Sequence, residues 1–185
     1  MKKIQNIVKD KNTHNLSKKG DVNIGFLSFF ESQKDIPFEI KRIYYIYQVP
    51  KGTKRGMHAH KKLEQILWCP YGTIEIVLYD GEKKAKHLLD SPEKTLYVRK
   101  GLWRDMYWKK NNSVLCVAAS EYYDENDYIR DYDDFIKMVK DGYWKGAKDT
   151  SKHEEKKEKI DQVLLDAFRK KHALTSQNLE DILNL

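Results

Sequence analysis

Two histidines one residue apart, His58 and His60, stand in the run Gly52-Thr53-Lys54-Arg55-Gly56-Met57-His58-Ala59-His60-Lys61-Lys62-Leu63-Glu64. The ordinary pKa of an imidazole lies near neutrality, so the ring can take a proton from carbon or oxygen and return it. In an extended strand alternate residues point to one side, which would bring both rings into a shared space about 7 Å apart. Such rings are costly in a core unless hydrogen-bonded, and a convergent pair close to Arg55 reads as a site rather than as packing. At this point the spacing suits either proton transfer or metal ligation. The remaining histidines, His14, His87, His153 and His172, lie in polar stretches and read as solvated. The carboxylates Asp124, Glu125, Asp127, Asp131, Asp133 and Asp134 lack the glycine and spacing of a calcium loop and read as a solvated helix flank. No Gly-rich phosphate loop, dinucleotide fingerprint or zinc-spaced cysteine pair occurs.

Positioning such a pair requires strands, and residues 20–120 have that texture. Residues 42–49 form a β-branched and aromatic run ending at Pro50-Lys51-Gly52. Residues 65–69 form a second run, stopped by Pro70-Tyr71-Gly72, and residues 73–79 a third, closed by the hairpin signal Asp80-Gly81. Residues 86–89, 95–98, 104–108 and 113–119 complete a series of short strands, the pattern of a sandwich or barrel. Before it, a short strand near Ile4–Val8 and a loop are expected. After it, residues 132–141 read as a short helix and residues 142–155 as a linker. Ile160, Val163, Leu164 and Phe168, then Leu179, Ile182 and Leu183, fall at helical spacing. The expected division is a β domain over residues 1–145 and a helical C-terminal extension over residues 146–185.

The composition sets bounds. The 185 residues fit one domain with an appendage, and 40% hydrophobic content suffices for a core. The net charge of +7 is compatible with an anionic ligand, although Lys is scattered along the whole chain. Cys69 and Cys116 both sit in apolar runs and read as reduced core residues, which points to the cytoplasm. The start Met1-Lys2-Lys3-Ile4 lacks the apolar stretch of a signal peptide, and no segment approaches membrane-spanning length.

The spacing of Gly52, His58, His60 and Glu64 resembles the first motif of the cupin superfamily, with Gly72 arriving one residue late. In metal-binding cupins the His and Glu of that motif are ligands, joined by a histidine of a second motif. The matching stretch here, Arg99-Lys100-Gly101-Leu102-Trp103-Arg104, has Arg104 in that place. A guanidinium cannot coordinate a metal, so neither metal nor cofactor is expected. Glu64 keeps a metal-dependent cupin as an alternative, beside a non-catalytic sugar-nucleotide-binding module.

Four stretches in order narrow the resemblance: residues 35–45 (Asp-Ile-Pro-Phe-Glu-Ile-Lys-Arg-Ile-Tyr-Tyr), residues 55–62, residues 102–104 and residues 120–130. Together they closely resemble the sugar-nucleotide 3,4-ketoisomerases, cupin-fold homodimers of bacterial surface-polysaccharide pathways. These enzymes act on thymidine-diphosphate-linked (dTDP) 4-keto-6-deoxyglucose. The resemblance runs from about residue 22 to 140 and implies a mostly β, jelly-roll barrel. It implies His58 as carbon base, with His60 and Tyr44 managing protons on the sugar oxygens. Substrate-binding candidates are Arg55 and Arg104 for the diphosphate, Gln65 as a polar contact, and Trp103 or Tyr45 for the thymine ring. Neither nucleic acid nor membrane is an expected partner.

Overall fold

The computed structural model describes residues 13–145. In chain order its strands are β1 (Thr13–Asn15), β2 (Ser17–Asp21), β3 (Gly25–Phe29), β4 (Arg42–Ile46), β5 (Lys54–His60) and β6 (Gln65–Tyr71). They continue with β7 (Ile74–Tyr79), β8 (Lys84–Leu89), β9 (Lys94–Val98), β10 (Trp103–Trp108), β11 (Val114–Ala119) and β12 (Tyr128–Ile129), before the helix α1 (Tyr132–Lys140). One five-stranded sheet has the order β1-β9-β6-β11-β4 and a second the order β12-β5-β10-β7-β8, every pairing antiparallel.

Alternation builds the core between these sheets. In β7, Ile74, Ile76 and Leu78 are buried while Glu75, Val77 and Tyr79 are only partly so, the period-two pattern of a strand with one packed face. Register carries this face onto β10, where Trp108, Met106 and Arg104 stand opposite Ile74, Ile76 and Leu78. Leu67 and Cys69 of β6, Leu115 and Val117 of β11, and Tyr44 and Ile46 of β4 complete the same cluster. The lower barrel is therefore apolar. At the other end of these strands, Arg104, Gln65 and Tyr44 continue the inward face with polar groups.

The outer face of the second sheet is covered by α1. Ala59, Trp103, Ile129 and Phe135 are buried together there, with Trp144 packed beside them. Asp131 caps the helix by accepting from the Asp134 backbone N–H, and Trp144 Nε1 donates to Lys61 O at 3.1 Å.

The strands expected from residue 42 onward are present with small shifts at their ends, and so is the short helix. β6 runs through Pro70 to Tyr71 instead of stopping at Cys69, and its register with β11 shifts between Val114 and Cys116, an irregularity that accommodates a residue without an N–H. The loop expected before residue 20 contains β1 and half of a β2–β3 hairpin. Its turn is closed by Asp21, whose Oδ1 accepts from the Asn23 and Ile24 backbone N–H groups. His87 is buried, not solvated: β8 alternates and puts it on the core side opposite Ile76. The strand expected at Ile4–Val8, the helices expected beyond residue 155, and His153 and His172 lie outside the described residues.

Candidate active site

The upper barrel is shaped by an irregularity in β5. Gly56 (φ +89) and Met57 (φ +54) both adopt left-handed backbone, and the register slips so that His58 faces Arg104 while Gly56 faces Asp105. This is a bulge, with one extra residue on β5. Only glycine fits at position 56, because a Cβ there would lie 2.7 Å from the Arg104 carbonyl oxygen. A left-handed methionine is itself costly, and such strain collects at functional sites. The bulge also returns Arg55 to the face of core Met106, its cross-strand partner. Arg55 thus shares the barrel face with His58 yet stays exposed.

His60 is buried and His58 half-buried, their ring centroids 4.9 Å apart and nearly perpendicular. His58 Nδ1 lies 2.9 Å from the Gly56 carbonyl oxygen, which can only accept, so the proton sits on Nδ1 and Nε2 carries a lone pair. His60 Nδ1 lies 2.9 Å from Asp127 Oδ2, and its Nε2 is buried without a protein partner. Burial, then the Arg104 charge, lowers the His58 pKa to about 4. The same two causes, in the same order, hold His60 lower still. Both rings are neutral at neutral pH.

Arg104 is buried at 2% exposure. Burial lowers its pKa to about 10, which still leaves it charged. One guanidinium nitrogen donates to Gln65 Oε1, while Nε and Nη2 have no protein partner. Gln65 Nε2 in turn donates to the Tyr44 hydroxyl at 2.8 Å, leaving the phenolic proton for another acceptor. Burial raises the Tyr44 pKa, so it is a neutral donor. The site is a cation, two neutral bases and a phenol around one space, a set suited to moving protons while stabilising a negative charge.

Five of the expected residues therefore converge: His58, His60, Tyr44, Gln65 and Arg104. Two do not. Trp103 alternates away from Arg104 and is packed beneath α1 against Phe135 and Tyr132, so it cannot stack on a base in the barrel. Tyr45 likewise alternates away from Tyr44 and is 64% exposed on the outer face of its sheet beside Tyr47.

Asp127 and Tyr128 are additions. Asp127 stands in the acidic run that reads as solvated, yet its carboxylate bonds His60, and the Tyr128 ring sits 4.3 Å from the His60 ring and 5.0 Å from that of His58. The pairing of β12 with β5 puts them there. The available signal was their place in the stretch 120–130, which follows the last barrel strand. Among the described residues no three His, Cys, Asp or Glu side chains gather as a metal-holding group.

The pKa shifts predict a pH dependence. In the unfolded chain both imidazoles titrate near 6.5, so below that pH the unfolded state binds protons that the folded state refuses. Stability is expected to fall as pH drops from about 6.5 toward 4, measured by denaturant unfolding across that range. Part of the slope should vanish in His58→Asn; a slope identical in the two proteins would contradict a neutral, buried-type His58.

A jelly-roll barrel with paired neutral histidines and a buried arginine at its polar end is a cupin-type protein built for proton transfer. The family model described as FdtA: WxcM-like, C-terminal, matches residues 9–140, and the chain belongs to that family. It is 47% identical over 115 residues to the TDP-4-oxo-6-deoxy-alpha-D-glucose-3,4-oxoisomerase of Aneurinibacillus thermoaerophilus, covering 62% of this chain and 83% of that one. A 3,4-ketoisomerase structure from Helicobacter canadensis is 46% identical over 69% of this chain and 96% of its own, with a TM-score of 0.66. The sugar 3,4-ketoisomerase QdtA of Thermoanaerobacterium thermosaccharolyticum, solved with TDP, is 42% identical over 70% and 96%, with a TM-score of 0.67. A histidine-to-asparagine variant of QdtA, solved with TDP-4-keto-6-deoxyglucose, is 41% identical over 70% and 95%, at 0.66.

Proposed function

We infer that this chain is a sugar-nucleotide 3,4-ketoisomerase that converts TDP-4-keto-6-deoxyglucose into the 3-keto isomer. The observation that carries the reading is the free Nε2 of neutral His58 beside buried, charged Arg104, its partner on the neighbouring strand, in a chain 47% identical to a 3,4-oxoisomerase.

The geometry suits each step. The His58 Nε2 takes the proton from carbon 3, and the electron pair flows into the carbon 4 carbonyl to give an enediolate. The oxyanion on carbon 4 falls to Arg104, whose unpartnered Nε and Nη2 supply preorganised charge at a buried position. The proton on His58 then returns to carbon 4 as the hydroxyl on carbon 3 gives up its own. His60 and Tyr44 relay that proton to the oxygen on carbon 4, so the enzyme ends as it began and no external oxidant or reductant is consumed. The depth of Arg104 supports a place beside the sugar rather than at the diphosphate, the role expected for it from the sequence. Exposed Arg55 on the same barrel face remains the candidate anchor for the diphosphate. Incubation with TDP-4-keto-6-deoxyglucose should yield a TDP-linked 3-keto-6-deoxyhexose by NMR; unchanged substrate would refute the reading.

The protein is further proposed to work as a cytoplasmic homodimer, with residues 146–185 as an appendage. Its cysteines are free thiols, and no helix among the described residues is long and apolar enough to cross a membrane. Val22, Ile24, Phe26 and Leu27 of the β2–β3 hairpin and Ile43, Tyr45 and Tyr47 of the β4 region are exposed, an amount of bare apolar surface that a second copy of the chain would cover. The family match ends at residue 140, and every candidate site residue precedes Gly146. A chain ended after Lys145 is expected to scatter light as a dimer and to keep its turnover within about twofold. A folded monomer, or a folded dimer without turnover, would contradict that division.

A further inference from the structure

We propose that Asp127 is a positioning residue of the isomerase, acting through His60: it holds the ring proton on Nδ1 so that Nε2 meets the sugar oxygens as an acceptor. This rests on the ketoisomerase reading above and adds a residue to it.

Asp127 does not come from the barrel wall. The chain leaves β11, makes a short turn over Glu125–Asp127 and returns along the edge of β5, where Tyr128 pairs with His60 and Ile129 with Ala59. The backbone locks this return segment in place, since the Lys61 N–H donates to the Asp127 carbonyl at 3.0 Å. The carboxylate is held from several sides. Oδ1 accepts from the Lys62 N–H at 2.8 Å, and Oδ2 from the Leu63 N–H at 3.3 Å and from His60 Nδ1 at 2.9 Å. An ionised carboxylate cannot donate, so it fixes one tautomer of His60. The Tyr128 ring, 4.3 Å from that of His60, restricts rotation of the imidazole about its own axis.

The result is a buried Nε2 with a lone pair and no protein partner. A buried polar atom of that kind is costly and calls for a function. The reaction supplies one, because the hydroxyl on carbon 3 must lose a proton and the oxygen on carbon 4 must gain one. His60 Nε2 takes the first and gives the second, and its net charge is unchanged over the cycle. While it carries the extra proton, the Asp127 carboxylate faces the imidazolium. Asparagine at this position would keep Oδ1 on the Lys62 N–H, leave the Leu63 N–H without this acceptor and turn its amide N–H toward the ring. The ring proton would then move to Nε2, and the acceptor would be lost.

The test begins with the unaltered protein. Nitrogen-15 NMR of labelled histidines, with His60 assigned by its absence in His60→Asn, should show a protonated Nδ1 and a bare Nε2. A proton on Nε2 overturns the proposal whether or not the protein isomerises any sugar, so this failure is separable from failure of the ketoisomerase reading. It also stands if a variant does not fold. Asp127→Asn should bind TDP with wild-type affinity, show the two nitrogen signatures exchanged, and lose about two to three orders of magnitude in kcat with little change in KM. Asp127→Glu should recover part of the rate. In a His60→Asn background, Asp127→Asn should cost nothing further. Wild-type turnover in Asp127→Asn, or an undiminished loss in the His60→Asn background, would overturn the role.

Discussion

Replacement of His58 by Asn is expected to slow isomerisation by about two to four orders of magnitude, the usual contribution of a positioned general base. Affinity for TDP should be unaffected, because the ring faces the sugar end of the barrel. The fold should persist as well. His58 is only half-buried, its single protein hydrogen bond is to the Gly56 carbonyl, and an asparagine amide can donate to the same oxygen. His60→Asn should be slowed less, since Tyr44 provides a second hydroxyl near the same oxygens. Near-normal rates in His58→Asn combined with an inactive His60→Asn would exchange the two roles. Steady-state kinetics with a TDP-binding control distinguishes these outcomes.

The second large effect is expected at Arg104, and it should separate stability from activity. A buried cation with only a neutral glutamine on its guanidinium is costly to desolvate. Replacing a buried charge by an apolar group of similar size is often neutral or stabilising. Arg104→Met should therefore fold and melt at or above the wild-type temperature. Its kcat should nevertheless fall by about two to three orders of magnitude, the usual cost of removing one preorganised oxyanion donor. Its KM should change little, because the charge that Arg104 meets exists only in the enediolate. The acid limb of kcat/KM should also move above about 4, since the Arg104 charge is one of the causes holding His58 low. A variant with unchanged kcat and much weaker TDP binding would return Arg104 to the diphosphate.

Period-two alternation made much of this site legible. It put His58 and His60 on one side of β5, and the strand series up to residue 119 followed from apolar runs broken by Gly, Pro and Asn. Alternation could equally have excluded Trp103 and Tyr45, since each neighbours a residue that points into the barrel. Their aromatic rings suit a thymine base, but their strand phase turns them away from the barrel, Trp103 beneath α1 and Tyr45 beside Tyr47. The β5 bulge was hidden because it depends on Met57 adopting a backbone that its side chain disfavours, which no local preference announces. Asp127 was hidden for a different reason. Its carboxylate is drawn from a run of acidic residues that looks solvated, and only the long-range pairing of Tyr128 with His60 brings it to the ring. The hairpin of β2 and β3 went unseen because its first strand, Ser17-Lys18-Lys19-Gly20-Asp21, is exposed throughout and carries no alternation to read.

The central claim is that His58 carries a proton between carbons 3 and 4 of a keto sugar. It is tested most directly by running the reaction in heavy water with TDP-4-keto-6-deoxyglucose and locating deuterium in the product by NMR. Because the transferred proton resides on an imidazole that can exchange with solvent, a 3-keto sugar carrying deuterium at carbon 4 is the expected product. Recovery of the 4-keto sugar, unlabelled or labelled only at carbon 3 or carbon 5, would contradict the account.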